Sequence, residues 1–221
     1  MKIKIYSGLS VSKEQVHAIL PEAEFSGPVQ RHDLKKDIES GVHVIGLIDG
    51  VFYRHLAVSP NEILDALRVG IRIFGSSSMG ALRAVELSPY GMQGVGKVYE
   101  HILKTPYFAD EKLGQIFYEG EDFKKNRAAI EIEIGLERAV TMKQLSKAEA
   151  KKILELYLQP HFTERSFENL IRSINASHLS QTQKNKYCRV LAGLKNIKHL
   201  DGIELLKKIR GLQQSISKID K

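Results

Sequence analysis

The sequence predicts an α/β fold: a mostly parallel sheet with flanking helices, followed by a helical carboxyl-terminal region. Three observations carry this prediction. Apolar runs at Lys2–Tyr6, Val42–Ile48 and Ile71–Phe74 alternate with helical patterns through residue 87, the order expected of layered strand–helix units. The middle run is nearly unbroken, as in a strand covered on both faces. Beyond about residue 106 the alternation gives way to helical stripes alone. The expected division is an α/β core at 1–105 and a mainly helical region at 106–221, packed on the core or appended to it.

The elements follow in order. Lys2–Tyr6 is the first strand, closed by Ser7-Gly8. Ser12-x-x-Gln15 forms a capping box for a helix that buries Val16, Ile19 and Leu20 and stops before Pro21. Phe25–Val29 is a short strand or turn, and Asp33 is placed to cap a brief helix ending at Gly41. Val42–Ile48 delivers Asp49-Gly50 to its end. Ser59-Pro60-Asn61-Glu62 combines a cap, a first-turn proline and a returning glutamate for the helix over Ile63–Leu67, which Gly70 ends.

Next comes the stretch on which function turns. Ile71 and Ile73 alternate as a strand, Gly75-Ser76-Ser77-Ser78 breaks it, and Ala81, Leu82, Ala84, Val85 and Leu87 continue as a helix. After Pro89 a glycine-rich run, Gly91 to Gly96, carries Lys97 into a helix with Val98, Tyr99 and Ile102. It fails the Walker A pattern because Val98 replaces the hydroxyl residue. Ile116-Phe117-Tyr118 reads as a short strand. Ile130 to Ile134 fits strand alternation as well as helix, and its alanines and charged flanks favour helix. Ser146-x-x-Glu149 boxes another helix; Phe167/Leu170/Ile171/Ile174 and Tyr187/Val190/Leu191/Leu194 stripe two more. Leu205, Ile209, Leu212, Ile216 and Ile219 form a seam that packs on the body or on a partner, a homodimer included.

The 221 residues, 43% apolar and 27% charged, suit one domain or a domain with an appendage. No run of about 18 apolar residues spans a membrane, and the alternating first strand is unlike a signal peptide. Cys188 is the only cysteine. It excludes an intramolecular disulfide and a Cys-rich zinc site, fits a cytoplasmic protein, and sits among helical apolar positions as filler. The net charge of +7 is uneven: residues 151–221 hold 14 Lys/Arg against 6 Asp/Glu. A solvated helix face is the default reading, an acidic protein partner the next. No aromatic ladder or nucleic-acid motif accompanies the charge, so nucleic acid ranks third.

The serine turn should lie at the carboxyl edge of the parallel sheet, where open α/β sheets bind ligands. The ends of the strands at Ser7-Gly8, Asp49-Gly50 and Ser76–Gly80 would share that rim. The first amides of a helix lack internal partners and can hold an anion or a developing oxyanion. Ser76-x-Ser78-x-Gly80 is one glycine short of the G-x-S-x-G elbow that presents a nucleophile. A helix cap or a phosphate grip would use the same residues.

A serine nucleophile needs a base. His32, His43 and His55 occupy positions typical of structural or solvated histidines, and no spacing suggests a metal. A Ser–Lys pair remains. Its lysine must fall from about 10.4 to about 7–8, roughly 3–5 kcal/mol of environment. Lys97 in its glycine-rich loop is the candidate, with Arg83 as a neighbouring cation; Lys35 and Lys36 look like a solvated face. Asp49 would orient the lysine, bind substrate, or simply close its turn.

These residues carry a resemblance. Gly46-Leu47-Ile48-Asp49-Gly50-Val51-Phe52, Glu62-Ile63-Leu64, Phe74 to Ala84 with its Ser-Met-Gly-Ala-Leu-Arg core, and Tyr90 to Gly96 together resemble the TfuA-like family over roughly residues 1–105. The resemblance implies an α/β hydrolase that acts beside a YcaO enzyme in thioamidation of peptide backbones. It implies hydrolysis of a thiocarboxylated ThiS-type sulfur carrier protein, releasing sulfide, and help in YcaO's recognition of its peptide. It also implies a Ser–Lys pair, its serine carried to Ser78; Lys97, the candidate from the glycine-rich loop, is taken as the lysine. Ser77, Met79, Gly80, Asp49, Gly50 and Arg83 would then line the oxyanion and substrate site. No cofactor is expected.

Overall fold

The chain, in a computed structural model, is described at residues 1–52, 56–114 and 127–219. Five strands, β1 (Ile3–Tyr6), β2 (Glu24–Ser26), β3 (Val44–Leu47), β4 (Arg72–Gly75) and β5 (Gln93–Gly94), form one sheet in the order β2-β1-β3-β4-β5. Every pairing is parallel. Helices α1 (Lys13–Ile19), α2 (Asp33–Glu39), α3 (Pro60–Arg68), α4 (Met79–Leu87) and α5 (Lys97–Lys104) connect or follow the strands. Then come α6 (Ala129–Thr141), α7 (Lys147–Leu158), α8 (Phe167–Ala176), α9 (Gln181–Ala192) and α10 (Ile197–Ile219). The fold class is therefore the α/β arrangement with a helical carboxyl-terminal region.

Two compact units result: Met1–Phe108 together with Lys198–Lys221, and Ala109–Ile197. In the first, Ile3, Ile5, Val44, Ile48 and Phe74 from the sheet pack with Leu205, Leu206 and Ile209 of α10. Leu205 and Ile209 of the seam, with Leu212 beside them, thus lie on the sheet. Gly46 in the centre of β3 makes room for it, since a methyl there would stand 2.7 Å from Ile5 Cδ1 and 2.9 Å from Leu205 Cδ2. In the second unit Ile132, Leu136, Ile153, Tyr157, Leu170, Ile174, Tyr187 and Leu191 share a core, with Cys188 half-buried against it.

Local signals act as their chemistry dictates. Ser12 and Gln15 form the capping box of α1, and Ser146 and Glu149 that of α7. Ile130–Ile134 is helical within α6. Two details differ from expectation. Asp33 does not cap α2: His32, at φ 73°, holds the cap position, and Asp33 accepts from the Gln30 amide instead. Glu62 does not return to its own cap but accepts from the amide of His32. The glycine-rich run also hides a fifth strand, β5, too short to show any periodicity. The expected strand at 116–118 and His55 lie outside the described residues.

Candidate functional site

In a sheet ordered 2-1-3-4-5 the connections reverse direction between β1 and β3, and the crevice beyond their carboxyl ends is the usual ligand position. The loop after β1 and the turn after β3 meet there. Asp49 Oδ2 accepts from the amides of Gly8 and Ser10, each at 2.9 Å, and Asp49 Oδ1 accepts from the Ser10 hydroxyl at 2.7 Å. With both oxygens engaged and the residue 6% exposed, Asp49 ties the two loops together and is not open to a lysine or a ligand. Gly50 forms a parallel bridge with Val29, and a methyl on it would stand 2.7 Å from Met79 Cγ. The Asp49-Gly50 turn therefore abuts the start of α4.

The serine turn follows β4. Gly80, one residue into α4, lies against the carbonyl of Leu47, with no space for a side chain. That contact seats the helix N-terminus directly on the end of β3. Ser77 carries φ 64°, a left-handed conformation that costs a non-glycine residue roughly 1–3 kcal/mol unless its surroundings enforce it. The enforcement is visible. The Ser77 hydroxyl donates to the carbonyl of Lys198 at 2.8 Å and lies 3.1 Å from that of Ser76, all in full burial.

Ser78 occupies the N-cap of α4, yet its side chain makes no capping hydrogen bond. Among the described residues nothing bonds to its Oγ. The capping reading of this serine therefore fails, and a hydroxyl without a structural duty remains. Its own amide donates to Ser76 and Ile48 carbonyls, and the Gly80 amide reaches Ile48 O at 3.5 Å. The amides of Ser77 and Met79 donate to no described group. The residue is only 4% exposed, so the hydroxyl lies under cover rather than on an open lip.

Lys97 stands elsewhere in character. Its ammonium pairs with Glu100 at 2.8 Å, and its side chain is 65% exposed. The hydrogen bond it donates to Glu100 raises its pKa, the opposite of what a neutral base needs. What the glycine-rich loop contributes is backbone: the amides of Lys97 and Val98 donate to the two oxygens of Asp201 at 2.9 and 2.8 Å. Gly96, at φ 96°, has the Asp201 carboxylate where a side chain would go. Burial lifts the Asp201 carboxyl to about 6, against the pull of those two amides. Arg83 is likewise engaged, with Nε on the carbonyl of Val58 and Nη1 on both oxygens of Glu86.

The first turns of α10 complete this edge, and no sequence pattern pointed to them. Lys198 is 3% exposed, the one lysine among the described residues that is fully buried. Its carbonyl receives Ser77, His199 Nδ1 lies 2.9 Å from the carbonyl of Ser10, and a methyl on Gly202 would stand 3.4 Å from Ser77 Oγ. The only signal was polar Lys198-His199-x-Asp201-Gly202 at the head of an otherwise apolar seam. Burial of charge is not readable from such a string.

The edge thus brings Ser76–Gly80, Asp49 and Gly50 together and leaves Lys97 and Arg83 committed to surface carboxylates. What the edge offers is the unbonded hydroxyl of Ser78 beside a Met79 amide that donates to no described group. A family model described as TfuA-like protein matches residues 49–166, more than half of the chain. No curated protein matches it.

Proposed function

Because the chain belongs to the TfuA-like family, we propose that it hydrolyses the thiocarboxylate of a ThiS-type sulfur carrier protein and hands the sulfide to a YcaO enzyme for thioamidation of a peptide. The observation that supports this reading most is the Ser78 hydroxyl, which makes no capping bond, beside a Met79 amide that has no acceptor among the described residues. Ser78 Oγ attacks the thiocarboxylate carbon, and the Met79 amide receives the oxygen that becomes negative in the tetrahedral intermediate. The C–S bond then breaks, sulfide leaves with the proton taken from the serine, and an acyl-serine ester remains. Water cleaves that ester to the carboxylate. Overall, thiocarboxylate and water give carboxylate, hydrogen sulfide ion and a proton.

We assign the base to Lys198 in place of Lys97. Lys198 is buried, and its carbonyl accepts from Ser77 in the serine turn; Lys97 is solvated and paired. The expected partners are the carrier and the YcaO enzyme.

The 4% exposure of Ser78 favours a second reading, a non-catalytic adaptor that docks carrier and YcaO without turnover. Mixing the purified protein with thiocarboxylated carrier, in the absence of YcaO, separates the two. Sulfide release supports the hydrolase. Binding without release supports the adaptor.

A further inference from the structure

We propose that a basic cleft between α6 and α9 binds an acidic, amphipathic segment of a partner protein. The cleft lies wholly within the second unit and is independent of the serine turn. It encloses about 760 Å³, many times the roughly 30 Å³ share of a water and within the range of ligand-binding clefts.

Its lining is one-sided in charge. Arg138, Lys186, Arg189 and Lys195 contribute cations, and no carboxylate lines it. Lys186 is neutralised by Glu149, with contacts of 2.7 and 2.9 Å. Arg138, Arg189 and Lys195 are exposed and join no ion pair among the described residues. Ala139, Val190 and Leu194 give it an apolar stretch beside polar Gln144, Thr182 and Asn185, and Met142, also lining it, is 56% exposed. Gly135 lets Leu194 pack close against α6, because a methyl there would stand 2.9 Å from it.

The shape favours a chain segment over a small anion. The lining face of α9 runs from Thr182 through Asn185 and Arg189 to Gly193. Eleven steps at 1.5 Å give about 16 Å, three turns of a helix lying alongside. Apolar floor and cationic rim complement a helix with an apolar stripe flanked by Asp or Glu, the helix-in-groove mode of recognition. A thioether at the edge adapts to varied apolar partners. Single-stranded nucleic acid would instead call for stacking aromatics, and none lines the cleft.

The test uses the full chain and a fluorescein-labelled amphipathic peptide of about 14 residues, leucines on one face and glutamates on the other. Its lysine-for-glutamate counterpart and an oligothymidine of similar length serve as comparison probes. By anisotropy, the glutamate peptide should bind saturably and weaken as salt rises from about 50 to about 300 mM. The double variant Arg138→Glu/Arg189→Glu should bind it about tenfold more weakly or worse while gaining affinity for the lysine peptide. Both substitutions are on exposed positions, and an unchanged melting curve confirms that the fold survives. The inference is overturned if the glutamate peptide does not saturate, if the double variant binds it as well as the native chain, or if the oligothymidine alone binds and is lost in the variant.

Discussion

The hydroxyl of Ser77 donates to the carbonyl of Lys198, 2.8 Å away in space and 121 residues away in sequence. That bond fastens α10 to the serine turn and holds Ser77 in its left-handed conformation. Ser77→Ala leaves the buried carbonyl without its donor, a loss of about 1–3 kcal/mol. Denaturant unfolding of the variant should show the drop. An unchanged midpoint would mean the bond holds nothing.

The neighbouring hydroxyl has the opposite profile. Ser78→Ala removes no hydrogen bond, so stability should stay within about 0.5 kcal/mol while sulfide release from thiocarboxylated carrier disappears. Turnover that survives this variant ends the hydrolase reading.

The two lysines are told apart by the same assay. Lys198→Met retains the buried volume, and release should fall by a factor of about 100 or more, the lower range for loss of a general base. Lys97→Ala removes one exposed ion pair, typically under about 1 kcal/mol, and should release sulfide at the native rate. The reverse pattern would return the role to Lys97.

Asp201 makes stability depend on pH. Its folded value of about 6 stands above the ordinary 3.8, so the folded state binds the proton more tightly than the unfolded chain. The stabilising contribution is therefore full below the unfolded value and lost as pH rises through about 6. Between pH 7 and pH 5 the native chain should gain about 1 kcal/mol relative to Asp201→Asn. Parallel pH series of unfolding midpoints check this; a constant difference, or one that shrinks on acidification, refutes it.

Gly211 lies inside α10 with open space where a side chain would point. Gly211→Ala should stabilise the chain by about 0.5–1 kcal/mol through helix propensity alone, whereas Gly80→Ala drives a methyl into the Leu47 carbonyl and should destabilise severely. Thermal melts of the pair give opposite signs.

What could be read in advance follows a physical division. β1, β3, β4 and the turn after β4 were legible because buried strands leave apolar runs and small residues mark the break. Two of the capping boxes were legible because cap and partner are three residues apart. β5 was not, since two residues carry no period. Nor was the Asp201 clamp on Lys97 and Val98, whose partners are 104 and 103 residues distant. Lys97 was singled out by the glycines around it; those glycines serve a carboxylate arriving from α10, not a lysine side chain. Ser78 follows from its spacing and from the Ser-Met-Gly-Ala-Leu-Arg stretch of the resemblance, whereas its missing cap bond is visible only in three dimensions.

The return of α10 to the sheet has a consequence for timing. A ribosome delivers the serine turn long before it delivers Lys198 and Asp201, so a growing polypeptide presents an unfinished edge whose last wall is still to be translated. Until α10 has emerged, the Ser77 hydroxyl and the amides of Lys97 and Val98 lack the partners that hold that edge.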